Sequence, residues 1–308
     1  MKQNPLAKDR LIPTSHLLGS GTSTCPGCGA LADIKLFYEI LGEKTIFVNA
    51  AGCMTLLTIY PFTPFRGSWI YTAMASAPAG AQGVRDALDI LIQKGRIPED
   101  DDLQVVVLTG DGSANGMGLS ATSSAMDRGL DFIYICYDNE GYGNTGHQFS
   151  AATPHGAATA TSRGISGHQG YKKDLFSIWQ AHNPTYLATV SGADPLDMAR
   201  KIKKAKDLSG PRMFIALAPC PTGWHFDPSQ TVAIGKMAIQ TGIWPLKEVE
   251  KNGTLTHTRP PKAKDKRPLV EEYLKMQGRF AHIFTPKRND TLLAEIQDRV
   301  DSYWKDEL

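Results

Sequence analysis

Up to about residue 244 the chain alternates between two kinds of hydrophobic pattern. Short apolar runs of strand length occur at Thr45–Asn49 (TIFVN), Gln104–Leu108 (QVVVL), Phe132–Tyr137 (FIYICY), Tyr186–Val190 and Met213–Leu217. They are rich in β-branched and aromatic residues, as buried strands are. Stretches with helical spacing of apolar positions lie between them. The first, CGALADIKLFYEIL over 28–41, opens just after a Gly-rich turn. The second, over 77–95, begins Ala-Pro-Ala-Gly-Ala and carries small residues that permit close packing. Others fall at about 116–128, 174–182 and 194–208. Strand and helix in alternation predict an α/β fold, a doubly wound and mostly parallel sheet covered on both faces. In such sheets ligands sit beyond the carboxyl ends of the strands, so chemistry is expected just after each apolar run. There is no internal repeat.

From about Pro245 the pattern fades, which suggests a division into a main domain, 1–244, and a C-terminal extension, 245–308. Residues 247–267 are rich in Lys, Pro and Thr and predict an extended arm; 269–278 and 292–304 read as helical pieces. A polar arm followed by short helices is expected to reach a partner rather than to form a second core.

Composition narrows the classes. The 308 residues are 42% apolar and 21% charged, with a formal net charge of +2, which is ordinary globular usage and no basis for nucleic-acid binding. No apolar run approaches the roughly 20 residues of a membrane span. Met1–Pro13 has no apolar core of a signal peptide, so a cytoplasmic location is expected. The last four residues, Lys305-Asp306-Glu307-Leu308, spell a retention signal that has meaning only in the secretory pathway; they read as the charged end of a helix.

Two sets of residues carry candidate chemistry. After the run ending at Leu108 comes Thr109-Gly110-Asp111-Gly112, and after the run ending at Tyr137 comes Asp138-Asn139-Glu140-Gly141-Tyr142-Gly143-Asn144-Thr145-Gly146. If those two strands are neighbours, Asp111 and Asn139 approach one point, and a carboxylate with an amide oxygen suits Mg²⁺. Gly110 and Gly112 leave room for a bulky anion near the backbone, and a helix opening near Gly116 would aim N–H groups at it. Gly-Asp-Gly alone is a common turn; the pair at successive strand ends describes a magnesium–diphosphate site. The second set is the cysteines. Cys25, Cys28, Cys53, Cys136 and Cys220 are odd in number with no export signal, which argues for reduced thiols. Cys25-Pro26-Gly27-Cys28 is a C-x-x-C loop, and Cys53 and Cys220 each end a loop after a strand. Four thiolates suit zinc or an iron–sulfur cluster, and the spacing leaves zinc, a cluster and plain core thiols open. Cys136 lies inside an apolar strand and reads as a core residue.

The segment ICYDNEGYGNTGHQFSAATPHGA, with Gly-Asp-Gly one helix and one strand before it, resembles the beta subunit of the pyruvate:ferredoxin oxidoreductase family, and the resemblance runs over about residues 20–280. It implies a thiamine-diphosphate-type fold and a catalytic subunit of a multi-subunit 2-oxoacid:ferredoxin oxidoreductase. Asp111 and Asn139 would hold Mg²⁺ through side chains and Gly141 through its carbonyl, with Gly110 and Gly112 at the diphosphate and Asn144 near the reacting carbon. Cys25, Cys28, Cys53 and Cys220 would ligate one 4Fe–4S cluster. Such a pairing is chemically sensible, because removing electrons singly after decarboxylation requires a one-electron acceptor close by. The resemblance further implies a partner subunit that supplies the activating glutamate, a partner carrying more clusters, a coenzyme A site, and ferredoxin as acceptor. This sequence departs from pyruvate-type members at Tyr71 and Met74-Ala75-Ser76, at Gly143, and at His147 and His155. Pyruvate is the first expectation; an altered pocket would instead suit oxalate or an aryl 2-oxoacid such as phenylglyoxylate. A non-oxidative thiamine decarboxylase or synthase would leave the four cysteines idle, and a zinc-stabilised binding module would leave Asp111 and Asn139 unexplained.

Overall fold

The computed structural model describes residues 11–13, 16–99, 101–162 and 167–307. The reading of the N-terminal stretch therefore falls largely outside the described residues, as does Leu308 of the terminal tetrapeptide. In chain order the regular elements are α1 (Gly29–Leu41), β1 (Thr45–Ala50), β2 (Ser68–Thr72), α2 (Ala77–Gln93), β3 (Gln104–Gly110), α3 (Leu119–Asp127), β4 (Phe132–Asp138), α4 (Leu175–Gln180), β5 (Tyr186–Ser191), α5 (Pro195–Lys206), β6 (Pro211–Leu217), α6 (Pro221–Trp224), α7 (Thr231–Gln240), β7 (Leu246–Glu250), β8 (Thr256–Arg259), α8 (Val270–Lys275), α9 (Ala281–Phe284) and α10 (Asp290–Glu307). The strands form one eight-stranded sheet in the order β2-β1-β3-β4-β6-β5-β7-β8. The first six in that order run parallel, β7 pairs antiparallel with β5, and β8 pairs antiparallel with β7.

The central strands are apolar on both faces because both faces are covered. β4, β5 and β6 are buried at every position. One face carries Val106, Leu108, Ile133, Ile135 and Phe214 against Ile34, Phe37 and Leu41 of α1 and Met198 and Ile202 of α5. The other carries Val105, Val107, Tyr134, Cys136 and Met213 against helices that include α2, α4, α8 and α10. Capping fixes where helices begin: Asp174 accepts from Ser177 N at the start of α4, and Asp194 accepts from Asp197 N at the start of α5, which also has Pro at its first position.

Two regions differ from the sequence expectation. SWIYT forms β2, an edge strand whose residues Ile70 and Tyr71 are exposed; half-exposed positions blur the apolar run that identifies a central strand. The expected extended arm instead folds back as β7 and β8 onto the sheet, with Leu246 buried and β7 paired to β5. Val270, Leu274, Val300 and Trp304 behind it share the main core.

Winding reverses at β1. The chain leaves it for β2 on one side, and β3 lies on the other. The carboxyl ends of β1, β3, β4 and β6, four adjacent strands, lead to Cys53, Asp111, Asn139 and Cys220 respectively. The sheet therefore presents thiol, oxygen, oxygen and thiol in succession along one edge, at the switch point where parallel sheets bind ligands.

Candidate active site at the carboxyl edge of the sheet

β3 and β4 are hydrogen-bonded neighbours, with Gly110 in register with Tyr137, so the two expected ligand loops emerge side by side. Asp111 is fully buried and Asn139 nearly so. The face of the Asn139 amide that carries its oxygen lies 2.7 Å from the Gly141 carbonyl oxygen and 2.8 Å from Asp111 Oδ1. Its Nδ2 faces Cys53 Sγ at 4.0 Å. Three oxygens at this spacing repel one another unless the amide turns over to donate, the Asp111 carboxyl carries a proton, or a cation sits between them. An octahedral Mg²⁺ with oxygens at about 2.1 Å would set adjacent ligand oxygens about 3 Å apart, close to this spacing. Burial and the neighbouring Asp138 carboxylate push the Asp111 carboxyl up to about 8, the behaviour of a carboxylate placed where a positive charge is wanted. The residues present thus fit a hard divalent ion with an anion beyond it.

The loops around this point are tightly held. Ser150 Oγ donates to Asp111 Oδ2 and is itself held by Ala152 N at 3.0 Å. Asn115 Nδ2 donates to the Asp111 carbonyl at 3.1 Å. Glu140 and His147, on either side of the loop, are non-glycine residues with φ of 62° and 61°, a conformation of the kind that surrounding contacts must impose and that gathers at functional sites. Glu140 does not face the oxygen cluster. Its carboxylate meets Arg279 Nη2 at 2.6 Å and Lys172 Nζ at 3.1 Å; burial opposes its ionisation, but Lys172 and Arg279 outweigh that and hold it below the usual range. Lys172 also meets Asp138 at 2.7 Å.

Two expectations about the backbone change. Helical backbone begins directly after β3 at Asp111, passes through a widened turn over Ser113–Met117, and reaches α3 at Leu119, so the helical stretch opens at Asp111 and not near Gly116. Gly112 is required by packing as well: a Cβ there would lie 2.2 Å from Cε1 of Tyr142. Asn144 sits exposed at the tip of a turn closed by the Tyr142–Gln148 bridge.

The four cysteines come from three loops and lie within electrostatic reach of one another beside this site. Cys28 precedes the first residue of α1, and its N–H donates to the Cys25 carbonyl at 3.2 Å. Gly29 N donates to the Pro219 carbonyl at 3.1 Å, which ties that loop to the end of β6. Cys220 caps α6, its sulfur accepting from Gly223 N at 3.3 Å. Burial pushes Cys53 up to about 12, helped by the charges of Cys220, Cys28 and Cys25; burial likewise raises Cys28 to about 11, helped by Cys220 and Cys25. Each thiol therefore lies within electrostatic reach of the others. Cys53 Sγ would be 3.1 Å from a Cβ on Gly143, so the thiol set touches the loop that carries Asn144. Among the described residues no group of three His, Cys, Asp or Glu side chains is spaced to hold a single metal ion. Cys136 is fully buried in β4, and burial raises its thiol far above the usual value.

Of the divergent positions, Tyr71 is exposed on β2, and the Met74 carbonyl accepts from Ser113 Oγ at 2.5 Å, beside the turn after β3. His155 is bonded to the Gln169 carbonyl at 3.1 Å and stacks on Tyr171. His147 is buried with both ring nitrogens unpartnered, and burial followed by the nearby Arg279 charge pushes it down to about 4. Sequence reasoning missed Ser150, Lys172, Trp224 and Arg279. They carry no local motif and become visible only when distant segments fold together.

Residues 50–216 match the family described as thiamine pyrophosphate enzyme, C-terminal TPP binding domain, so the class of the fold and site is that of thiamine-diphosphate enzymes. The chain is 42% identical to pyruvate synthase subunit PorB of Methanothermobacter thermautotrophicus, over 94% of this chain and 97% of that protein. It is 38% identical to ketoisovalerate oxidoreductase subunit VorB of Pyrococcus abyssi, over 88% of each. The chain belongs to the beta-subunit family of the 2-oxoacid:ferredoxin oxidoreductases, multi-subunit enzymes of which it is a catalytic subunit. A solved structure titled 2-oxoglutarate:ferredoxin oxidoreductase from Magnetococcus marinus, with 2-oxoglutarate, coenzyme A and succinyl-CoA bound, shares the fold at 23% identity and a TM-score of 0.54, over 67% of each chain. Among the described residues no helix is long and apolar enough to cross a membrane.

Proposed function

We propose that this chain binds magnesium thiamine diphosphate and one 4Fe–4S cluster at adjoining positions, and oxidatively decarboxylates a 2-oxoacid with transfer of electrons to ferredoxin in the cytoplasm. The observation that carries the reading is the succession Cys53, Asp111, Asn139 and Cys220 at the ends of four adjacent strands. Asp111, Asn139 and the Gly141 carbonyl would hold Mg²⁺, and the Gly110–Gly112 backbone with the turn that follows would cradle the diphosphate. Bound thiamine would supply the electron sink for decarboxylation, and the cluster a one-electron acceptor. Asn144, exposed at its turn tip, would contact the substrate at the reacting carbon. Cys25, Cys28, Cys53 and Cys220 would be the iron ligands. Zinc fits less well, because one C-x-x-C pair with two single cysteines far along the chain does not match the paired C-x-x-C spacing of a zinc ribbon.

Pyruvate is the first substrate to test, since relatives named pyruvate synthase are the more similar. The chain is half of an active site. Glu140, the glutamate beside the metal ligands, is engaged by Arg279 and Lys172 and is not available to activate thiamine. A partner subunit would supply that glutamate, another partner further clusters, and the assembly a coenzyme A site. The outer surface of residues 245–308, beyond their pairing with the sheet, would contact those partners.

The test is the metal content and absorption of anaerobically purified chain. Roughly four iron and four sulfide per chain with a broad band near 400 nm are expected of a 4Fe–4S protein. Stoichiometric zinc, or no metal after anaerobic reconstitution, would refute the cluster assignment.

A further inference from the structure

Arg279 follows α8 in the C-terminal segment and is almost wholly buried, beneath the two ligand loops. Its Nη2 donates to Glu140 Oε2 at 2.6 Å, and Glu140 stands between Asn139 and Gly141. Its guanidinium lies 3.9 Å over the ring of Trp224, the last residue of α6. Trp224 Nε1 donates to the Asn139 carbonyl at 2.8 Å, and Trp224 N donates to the Cys220 carbonyl at 2.8 Å. One guanidinium thus reaches the oxygen loop directly through Glu140, and reaches it again through Trp224, whose own helix begins at Cys220. The His147 ring is wedged between the two loops: a Cβ on Gly141 would lie 2.8 Å from its Cε1, and a Cβ on Gly223 would lie 2.2 Å from its Nδ1. Close-packed interiors transmit a shift of one loop to its neighbour. Gln277 Oε1 orients the guanidinium by accepting from Nε at 2.9 Å. A planar fork that can stack and donate sideways at once is a task lysine cannot perform.

We propose that Arg279 is a positioning residue that holds the Asn139–Gly141 loop and the Cys220 helix in one geometry, so that occupancy of the diphosphate site is felt at the Cys220 sulfur. This rests on the reading above, in which that loop holds magnesium thiamine diphosphate and Cys220 ligates the cluster. The C-terminal segment is then part of the machinery that aligns the two cofactors, in addition to whatever partner it contacts.

The experiment uses the complex assembled with its partner subunits, as wild type and as Arg279→Met, Arg279→Lys and Trp224→Phe. Thiamine-diphosphate affinity at fixed Mg²⁺ is measured by calorimetry. The electron paramagnetic resonance spectrum and midpoint potential of the cluster are measured with and without thiamine diphosphate. The wild type is expected to change its spectrum or potential when thiamine diphosphate is added. Arg279→Met is expected to keep its iron, to lose roughly tenfold in affinity, as removal of an outer support of a metal ligand typically does, and to lose the thiamine-induced change. Arg279→Lys should not rescue it. Trp224→Phe keeps a ring but removes the donor to Asn139, and should move both readouts in the same direction by less; it decides the matter if Arg279→Met does not assemble. Wild-type affinity and a wild-type thiamine-induced change in both Arg279→Met and Trp224→Phe would overturn the proposal. So would a wild type that loads both cofactors but whose cluster does not respond to thiamine diphosphate. A wild type that loads neither cofactor overturns the underlying reading and this proposal with it.

Discussion

The two inner strand ends of the functional edge and the two outer ones use different means to place their ligands. Asp111 and Asn139 follow β3 and β4, which are hydrogen-bonded partners, so sheet register alone brings them together. Cys53 and Cys220 follow β1 and β6, which have β3 and β4 between them, and they meet Cys25 and Cys28 only because loops and the start of α1 fold over the edge. The oxygen pair is thus a product of secondary structure, and the thiol set a product of tertiary packing. A site of the first kind takes its placement from the sheet and needs other segments, such as the one carrying Arg279, only for finer positioning. One of the second kind depends on every loop that builds it, such as the Gly29–Pro219 hydrogen bond that joins the first cysteine loop to the last.

The contrast is sharpest if each site can be destroyed without the other. Serine at Cys25, Cys28, Cys53 or Cys220 should remove iron and activity, because each site needs its thiolate, while Cys136→Ser keeps both; iron analysis of the five variants checks this, and full iron in Cys220→Ser would contradict the ligand set. Asp111→Ala should lower thiamine-diphosphate affinity by more than about 100-fold, the most that losing even an outer support of a metal ligand costs, with iron unchanged. Asn139→Ala should cost less, since a neutral ligand contributes less to a divalent ion than a carboxylate. Calorimetry with Mg²⁺ present reads both, and an Asp111→Ala protein of wild-type affinity would sink the site.

Weaker effects probe how each loop is held. Ser150→Ala removes the hydroxyl that orients Asp111 Oδ2; the Mg²⁺ concentration for half-saturation should rise about tenfold, with saturating turnover changed little. At the surface, Glu271 is held down to about 2 by hydrogen bonds from Arg288, which tethers α8 to the segment just before α10, and from Lys275 of α8 itself. Its folded-state value lies below its unfolded one, so the stabilisation is present above about pH 4.5 and is lost as pH falls toward 2. The pair is largely solvent-screened. Glu271→Gln should therefore lower the melting temperature at pH 7 by only about a degree, and the difference should vanish near pH 2. A shift that persists at low pH would mean that packing, not charge, joins these helices.

What could be read from the sequence follows the same division. The runs QVVVL and FIYICY mark fully buried strands, and Asp111 and Asn139 stand directly after them, so fold class and oxygen site were legible from local pattern. The cysteines could be named as a set, but their meeting could not be derived from spacing alone, because it depends on loop closure over long separations. β2 escaped notice because an exposed edge strand has no continuous apolar run, and 247–267 read as an extended arm because Lys, Pro and Thr are frequent there, although β7 and β8 cover one edge of the sheet. Arg279, 139 residues from Glu140, carries no sequence signal at all. Its partner is set by how the C-terminal segment folds back.

The central claim is that this chain holds both cofactors and yet lacks the group that starts the reaction. Its most direct test is the rate of 2-oxoacid-dependent reduction of ferredoxin or viologen. The purified chain is supplied anaerobically with Mg²⁺, thiamine diphosphate, coenzyme A and pyruvate, first alone and then with its partner subunits. The account predicts no turnover from the chain alone and turnover when the partners are added, abolished again when the partner's activating carboxylate is removed. Robust turnover by the chain alone would mean that the activating base lies among its own residues and that the half-site account is wrong.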